Sequence, residues 1–225
     1  MIRRLSLPRL ETGTNTVRLL AVSDEAEHSF DFERNRADLE PVDGIIGAGD
    51  LAPEYLAFLA DAFHAPLLYV RGNHDRGANW GGLEGQLPHS LDTRAERLAG
   101  ITVAGLPWPG DSRGQAVRDE TGAWLQAFSL VFRLRGQRPQ IIVSHVPPRG
   151  LGDTPEDHYH RGFAAYHWLC QRLKPILWIH GHTALAATDG WRQDWGGTTV
   201  VNATGAVLVE LTAQPAAAAT IAISS

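Results

Sequence analysis

The chain has 225 residues, of which 44% are hydrophobic, and it carries a formal net charge of −5 with a pI near 6.0. This composition predicts one globular domain, residues 1–225, with enough apolar side chains for a sizeable core. The acidic balance argues against a nucleic-acid-binding protein, which would carry a basic patch. The single cysteine, Cys170, excludes an intramolecular disulfide and favours a reducing, cytoplasmic setting.

The sequence indicates neither an export signal nor a membrane span. Residues 1–4 are basic, but residues 5–10 contain Pro8 and Arg9 and are too short for a signal-peptide core. No apolar run approaches the ~20 residues that a spanning helix needs. We therefore expect a protein that is neither exported nor inserted in a membrane.

The first part of the chain alternates strand and helix patterns. Apolar runs predict three core strands, at residues 17–22, 45–48 and 66–70. Two helices are predicted between them, a polar and exposed one at residues 31–40 and an amphipathic one at residues 53–63. In layered α/β proteins, ligands bind at the carboxyl ends of such strands, so the residues that follow each strand are the first candidates for a site.

The second part of the chain continues with β patterns and two further helices. The predicted strands are residues 101–106, 140–144, 175–179, 198–203, 206–211 and 218–223. One helix carries a stripe that we expect to face the core, formed by Trp124, Phe128, Val131 and Phe132. The other places Phe163, Tyr166 and Cys170 on one face, which makes Cys170 a core residue. Residues 77–86 and 107–114 are predicted loops.

Residues 71–75, Arg-Gly-Asn-His-Asp, directly follow the third predicted strand. Gly72 permits a tight turn, and Asn73 offers a carbonyl oxygen to a metal. His74 has an imidazole that can exchange a proton near neutral pH, and Asp75 can fix its tautomer. A motif this short is equally consistent with a capped turn that contains a hydrogen-bonded histidine.

Five predicted core strands end in side chains that can bind a metal. These residues are Asp24, Asp50, Asn73, His145 and His182. Carboxylate, amide and imidazole groups clustered at one edge of a sheet are what a divalent cation requires. The mixture of oxygen and nitrogen donors suits Mn²⁺, Fe or Zn²⁺ better than Ca²⁺.

Taken in order, these segments resemble the signature of the calcineurin-like metallophosphoesterases. That signature is Asp-x-His, Gly-Asp, Gly-Asn-His-Asp/Glu, a strand-end His, and Gly-His-x-His. The matching segments are residues 24–26, 49–50, 72–75, 144–145 and 181–184. The resemblance implies an α/β (α+β) fold, a four-layer α-β-β-α sandwich of two mixed sheets with helices outside.

The resemblance also implies a ligand set for two metals. Asp50 would bridge the two metals, and Asp24 would belong to the first site. The second site would be completed by Asn73, His145 and His182.

The implied reaction is hydrolysis of a phosphate ester, as a phosphomonoesterase or a phosphodiesterase. A metal-bound hydroxide would attack phosphorus in line while the metals neutralise charge on the phosphoryl oxygens. His74, oriented by Asp75, would protonate the leaving group. The partner would be a small phosphorylated substrate such as a nucleotide.

The chain departs from the family pattern at two positions. Ala26 and Ala184 stand where the pattern has histidines, and both belong to the first site. We therefore expect one tight site for Mn²⁺, Fe or Zn²⁺ and one weak, oxygen-rich site.

Three explanations of these departures stay open. The enzyme would use one metal; or the first site would use water and a substitute ligand, Glu25 or His28; or the chain would be a catalytically weak or inactive relative that binds a metal and a nucleotide phosphate. Glu25 adjoins Asp24 in a carboxylate-rich stretch, but it can help only if the chain has already turned there.

The polar loop after His145 supplies further candidates. Arg149 would grip a phosphate through its planar guanidinium, and His160 would contact the substrate. The alternative is a solvated surface loop with ordinary turn chemistry. His180 is expected to face away from His182.

Overall fold

The computed structural model describes residues 2–8, 16–75, 80, 87–88, 90–110, 118–188 and 190–212. The strand predicted at residues 218–223 lies outside these residues. So does the loop predicted at residues 77–86, apart from Trp80, and so does the second half of the loop at residues 107–114.

Two mixed β-sheets contain the eleven strands of the described residues. The strands are β1 Arg3–Pro8, β2 Val17–Ser23, β3 Gly44–Gly47, β4 Leu67–Tyr69, β5 Ala95–Leu98, β6 Ile101–Leu106, β7 Ile141–Ser144, β8 Leu177–His180, β9 Arg192–Trp195, β10 Thr198–Asn202 and β11 Gly205–Thr212. One sheet has the order β1-β11-β2-β3-β4, and the other has the order β5-β6-β7-β8-β10-β9. Strands β2, β3 and β4 run parallel, as do β6, β7, β8 and β10.

The described helices are α1 Glu33–Ala37, α2 Pro53–Ala62, α3 Glu120–Leu134 and α4 Ala164–Leu173, with 3-10 turns at His28–Asp31 and Leu185–Ala187. Pro53 occupies the first turn of α2, where its missing N–H costs no hydrogen bond. The Asp119 carboxylate caps α3 by accepting a hydrogen bond of 2.8 Å from the backbone N–H of Gly122.

Three apolar clusters hold these elements in four layers. The central cluster lies between the two sheets and includes Ile46, Val143 and Ile179. A second cluster packs α2 on the outer face of the five-stranded sheet. The third packs α3 and α4 on the outer face of the six-stranded sheet. The predicted α-β-β-α sandwich is therefore confirmed.

The strands that sequence patterns missed are β1, β5 and β9, and all three lie at sheet edges. The sequence of β9, Arg-Gln-Asp-Trp, is mostly polar and exposed, and that of β5, Ala-Glu-Arg-Leu, has two exposed charged residues at its centre. An edge strand has a neighbour on one side only and does not need a continuous apolar run. The helix predicted at residues 31–40 is shorter than expected, because a 3-10 turn at His28–Asp31 precedes the five-residue α1.

The prediction that the aromatic stripe of α3 faces the core is wrong for its two phenylalanines. Phe128 and Phe132 are 54% and 83% exposed. The buried face consists instead of Ala123, Ala127, Leu130 and Leu134. Small alanine side chains let the helix lie close to its neighbours, so the larger rings are left on the solvent side. No helix in the described part of the chain has the length and apolar character to cross a bilayer.

The orientation of α3, with Leu130 buried and Phe132 exposed, leads to a prediction about stability. Leu130→Ala should lower the free energy of unfolding by about 2–5 kcal/mol, because it leaves a cavity in the core. The matched control, Phe132→Ala, should change it by less than about 0.5 kcal/mol, since that ring is exposed. Urea unfolding followed by circular dichroism measures both, and equal losses would contradict the described orientation of α3.

Candidate metal centre

The predicted metal-binding residues follow the carboxyl ends of β2, β3, β4, β7 and β8. Strands β2, β3 and β4 are parallel neighbours in one sheet, and β7 and β8 are parallel neighbours in the other. Their carboxyl ends therefore share an edge within each sheet. The two edges meet where His145 contacts Asp50 across the sandwich.

Left-handed turns carry three of these residues out of their strands. Asp24, Asp50 and His182 have φ angles of 59°, 55° and 66°, a conformation that residues with a Cβ rarely adopt. Two glycines of the same motifs, Gly72 and Gly181, are required by close packing. A Cβ on Gly72 would overlap Asp50 Oδ1, and a Cβ on Gly181 would overlap Asp24 Oδ2. The motif glycines thus let the backbone lie directly against the two carboxylates.

A compact group of donors forms at this edge. Atoms of Asp24, Asp50 and His145 that can bind a metal lie within 4.8 Å of one another. His145 Nε2 is 3.1 Å from Asp50 Oδ2 and 2.9 Å from Asn73 Oδ1. The other nitrogen of the buried ring, Nδ1, donates a hydrogen bond of 2.9 Å to the Ala48 carbonyl.

The Ala48 hydrogen bond fixes the tautomer of His145. A carbonyl oxygen only accepts, so Nδ1 carries the hydrogen and the neutral ring presents a lone pair at Nε2. That lone pair faces two oxygen acceptors, Asp50 Oδ2 and Asn73 Oδ1. His145 Nε2, Asp50 Oδ2 and Asn73 Oδ1 are all lone-pair acceptors, and they lie this close only with a positive species among them. These three atoms therefore fit a divalent cation.

Electrostatics at the site agree with this geometry. Burial lowers the pKa of His145, but the hydrogen bond and charge of Asp50 outweigh it and raise that pKa to about 9. Burial raises the pKa of Asp50, but His145 reverses the effect and holds the carboxyl below its usual value. Without a metal, His145 and Asp50 therefore hold a proton between them, at the position where a divalent cation would bind.

Asn73 is held by a residue that sequence reasoning missed. Its Nδ2 donates a hydrogen bond of 2.8 Å to the Tyr159 hydroxyl, which turns Oδ1 toward His145. Tyr159 lies in the loop after β7, and nothing in its sequence context marks it, because its role depends on how that loop folds back.

His182 lies beside the donor group but outside it. Its backbone N–H donates to both oxygens of Asp24 at 3.1 Å, and its Nε2 donates to the Tyr159 carbonyl at 3.1 Å. Its ring centre is 5.0 Å from that of His145. Burial lowers its pKa to about 3, so the ring is neutral and keeps a lone pair on Nδ1. The buried Trp108 ring packs against both histidines.

His74 and Asp75 occupy different positions around Asp50. His74 is exposed, and its backbone N–H donates a hydrogen bond of 2.8 Å to Asp50 Oδ1. The buried Asp75 accepts at Oδ2 from the N–H groups of Asp50 and Gly72, at 2.8 and 2.7 Å. Burial raises the pKa of Asp75 to about 6, against the lowering effect of the Gly72 hydrogen bond. Asp75 therefore braces the two turns, while its orientation of the His74 ring stays a prediction.

The proposed substitute ligands lie outside the donor group. The chain has turned at Asp24, as a role for Glu25 would require, but Glu25 is exposed and its charge acts on Arg3. The His28 ring is 89% exposed and lies 3.7 Å from Asp31. Neither residue belongs to the group that Asp24 forms with Asp50 and His145.

The two loop candidates differ in where the structure places them. Arg149 contacts Glu120 at 3.1 Å and donates to the Gly162 carbonyl at 3.2 Å, so its guanidinium is held at the start of α3. His160 lies nearer the metal-binding edge, with its ring centre 5.0 Å from that of His182 and its Nδ1 bonded to Asp157.

The family model for calcineurin-like phosphoesterases matches residues 17–185, which contain every residue of the donor group. The chain belongs to this family. The family is divalent-metal dependent, in agreement with the donor set described above. Comparison with curated proteins gives no match.

One solved structure supports the fold. The chain is similar to TT1561 of Thermus thermophilus, with 18% identity, 85% of this chain and 90% of that chain covered, and a TM-score of 0.59. It also matches a metallophosphoesterase from Sphaerobacter thermophilus at 18% identity, with 89% and 90% covered and a TM-score of 0.33. A Vps29 single mutant from Entamoeba histolytica matches at 14% identity, with 84% and 74% covered and a TM-score of 0.40. At these identities the first likeness establishes a shared fold.

Tyr159→Phe should weaken metal binding by roughly 10–100-fold, because the Asn73 amide loses the partner that turns Oδ1 toward His145. Isothermal titration of the metal-free protein with Mn²⁺ measures the change. Tyr55→Phe is the matched control, since the Tyr55 hydroxyl accepts a hydrogen bond from Glu27 N–H and no metal-binding residue. Unchanged affinity in Tyr159→Phe would contradict the role of its hydroxyl.

The group of Asp24, Asp50 and His145 leads to a prediction about how much metal the protein retains. The purified protein should retain about one divalent ion after dialysis, and His145→Ala should lose it, because the variant lacks the buried nitrogen donor. His28→Ala should retain the ion, since His28 is exposed. Mass spectrometry of metals decides this, and two tightly held ions in the wild-type protein would require a ligand not recognised above.

Proposed function

We propose that the protein is a metal-dependent hydrolase of phosphate esters. The observation that carries the proposal is the approach of His145 Nε2 to Asp50 Oδ2 and Asn73 Oδ1, with the tautomer locked by a backbone carbonyl. A buried site of this kind selects a divalent cation, and Mn²⁺, Fe and Zn²⁺ suit its mixed oxygen and nitrogen donors. The exposed His74 beside it adds a group that can move a proton.

The cation would be held by Asp50, Asn73 and His145, with Asp24 and His182 beside it. When bound, a divalent ion acts as a Lewis acid and offsets negative charge on phosphoryl oxygens. The rest of the site is built from the protein. Tyr159 orients the Asn73 amide, Asp75 holds the turns of Asp50 and Gly72, and Trp108 covers the buried side.

His74 is proposed as the general acid. Its backbone is fixed to Asp50 Oδ1 while its side chain is exposed, so the ring stands at the rim of the donor group, where a substrate can reach it. In this role the imidazolium would give its proton to the departing oxygen as the ester bond breaks. The substrate would be a small phosphorylated compound, a phosphomonoester or a phosphodiester.

The second candidate is a binding module that holds a metal and a nucleotide phosphate without turnover. It is favoured by the first site, where Ala26 and Ala184 replace histidines and neither Glu25 nor His28 joins the group of Asp24, Asp50 and His145. Assays with p-nitrophenyl phosphate and bis(p-nitrophenyl) phosphate in excess Mn²⁺ separate the two candidates. Metal binding without release of p-nitrophenol from either ester would support the binding module.

A cytoplasmic location is also part of the proposal. It rests on Cys170, which is buried among apolar residues of α4 and whose thiol pKa is raised by that burial. Such a thiol suits a reducing compartment, where it has no disulfide partner to find.

His74→Ala should lower turnover by roughly 10²–10⁴ while metal content stays at the wild-type level, because His74 is assigned to proton transfer. The loss should be greatest for esters with poor leaving groups, which depend most on protonation. Steady-state rates across a series of substituted phenyl phosphates measure this, with His28→Ala as the control. Equal losses across the series would exclude the general-acid role, and loss of metal would make His74 a ligand.

A further inference from the structure

A separate cavity of about 340 Å³ lies against the outer face of the six-stranded sheet. Its base is formed by His180, Val200 and Asn202. His180 pairs with Asn202 and Trp178 pairs with Val200 in the β8–β10 register, and Trp178 and Val200 pack in the cluster under α3 and α4. Since side chains alternate along a strand, this is the face opposite the core between the sheets. His180 therefore faces away from the central core.

Two neutral side chains at the cavity have hydrogen-bonding capacity left, the buried His180 and the exposed Gln193. His180 Nδ1 donates a hydrogen bond of 2.9 Å to the Gly181 carbonyl, so Nε2 of the neutral ring is an acceptor. Gln193 Oε1 accepts from Gly152 N–H at 3.1 Å, which leaves the Gln193 amide NH₂ as a donor. Gly152 keeps this space open, because a Cβ there would lie 2.6 Å from His180 Nε2.

The charged groups around the cavity are already compensated. The buried Asp153 carboxylate accepts from the N–H groups of Gly150 and Gly162 at 2.9 and 2.8 Å. Arg192 is paired with Asp194 at 2.8 Å. The rest of the lining is mixed: Pro155 and Trp191 contribute apolar groups, and Gly150, Gly190 and Thr188 contribute neutral polar backbone and hydroxyl groups. A cavity whose charged side chains are compensated within the protein, and whose remaining lining is neutral, suits an uncharged heterocycle better than an ion.

We propose that this cavity binds a nucleobase. A volume of about 340 Å³ accommodates one such ring. The base edge, with its alternating donors and acceptors, would pair with Gln193 Nε2 and His180 Nε2. Trp191 borders the cavity, while its indole packs against the cluster between the sheets and lies 5.4 Å from the Arg3 guanidinium.

The same segments border the cavity and the metal centre. Only Gly181 separates His180, at the base of the cavity, from His182, beside the metal centre, so their Cα atoms are at most roughly 7 Å apart. Thr183 Oγ1 donates to the Gly152 carbonyl at 2.9 Å and ties this segment to the loop whose Tyr159 carbonyl contacts His182. A nucleotide substrate with its phosphate at the metal centre would place its base here, a link that rests on the function proposed above.

Titration of the metal-free protein with adenosine, guanosine, cytidine and uridine, followed by tryptophan fluorescence and calorimetry, tests the binding. At least one nucleoside should bind with a dissociation constant below about 1 mM, and ribose should not bind. Gln193→Glu should weaken binding by at least about tenfold, because it keeps the acceptor for Gly152 N–H and removes the NH₂ donor. Gln171→Glu, on the exposed surface of α4, is the matched control.

Absence of nucleoside binding, or binding that Gln193→Glu leaves unchanged, would overturn the proposal. Binding without hydrolysis of any ester would leave the nucleobase site intact and refute the proposed hydrolase. With hydrolysis present, Gln193→Glu should raise KM for thymidine 5′-(p-nitrophenyl phosphate) and leave bis(p-nitrophenyl) phosphate unaffected. Equal effects on the two esters would refute the link between the sites.

Discussion

The contact between Asp50 and His145 is the interaction on which the candidate site depends. The two residues come from different sheets, and their side chains meet at 3.1 Å at the common edge of the sandwich. The five-stranded sheet also supplies the Ala48 carbonyl that fixes the His145 ring. The packing of the two sheets thus sets both the position and the tautomer of this histidine, so a change in how the sheets meet would be felt first at the metal-binding edge.

The ligands assigned to the second metal site, Asn73 and His145, are held differently from Asp24 of the first site. Asn73 and His145 are buried and hydrogen-bonded to fixed partners, so they are ready to bind without rearrangement. Asp24 instead uses both oxygens to accept the backbone N–H of His182, with Thr204 Oγ1 at 3.3 Å. Asp24 therefore has a structural role that does not require a metal, which fits a first site without its histidines.

Sequence patterns located the core strands and the residues at their ends, because buried strands need continuous apolar runs and a ligand-binding edge follows where they stop. Polar edge strands such as β5 and β9 carry no such pattern. Tyr159 escaped notice because its contact with Asn73 spans 86 residues and depends on loop conformation. The exposure of Phe132 was missed because alanines form the packed face of α3, and periodicity alone does not show which of two stripes is buried.

The outer strands of the two sheets bear on how the protein behaves in concentrated solution. Within the described residues, β5 and β9 have four residues each and carry exposed charged side chains, and β4 has three residues. Strand β1 begins with two arginines and ends at Pro8, which has no N–H to donate. Each outer strand is thus a poor template for pairing with a sheet of another molecule. These edge strands protect the two sheets and their apolar core against edge-to-edge aggregation.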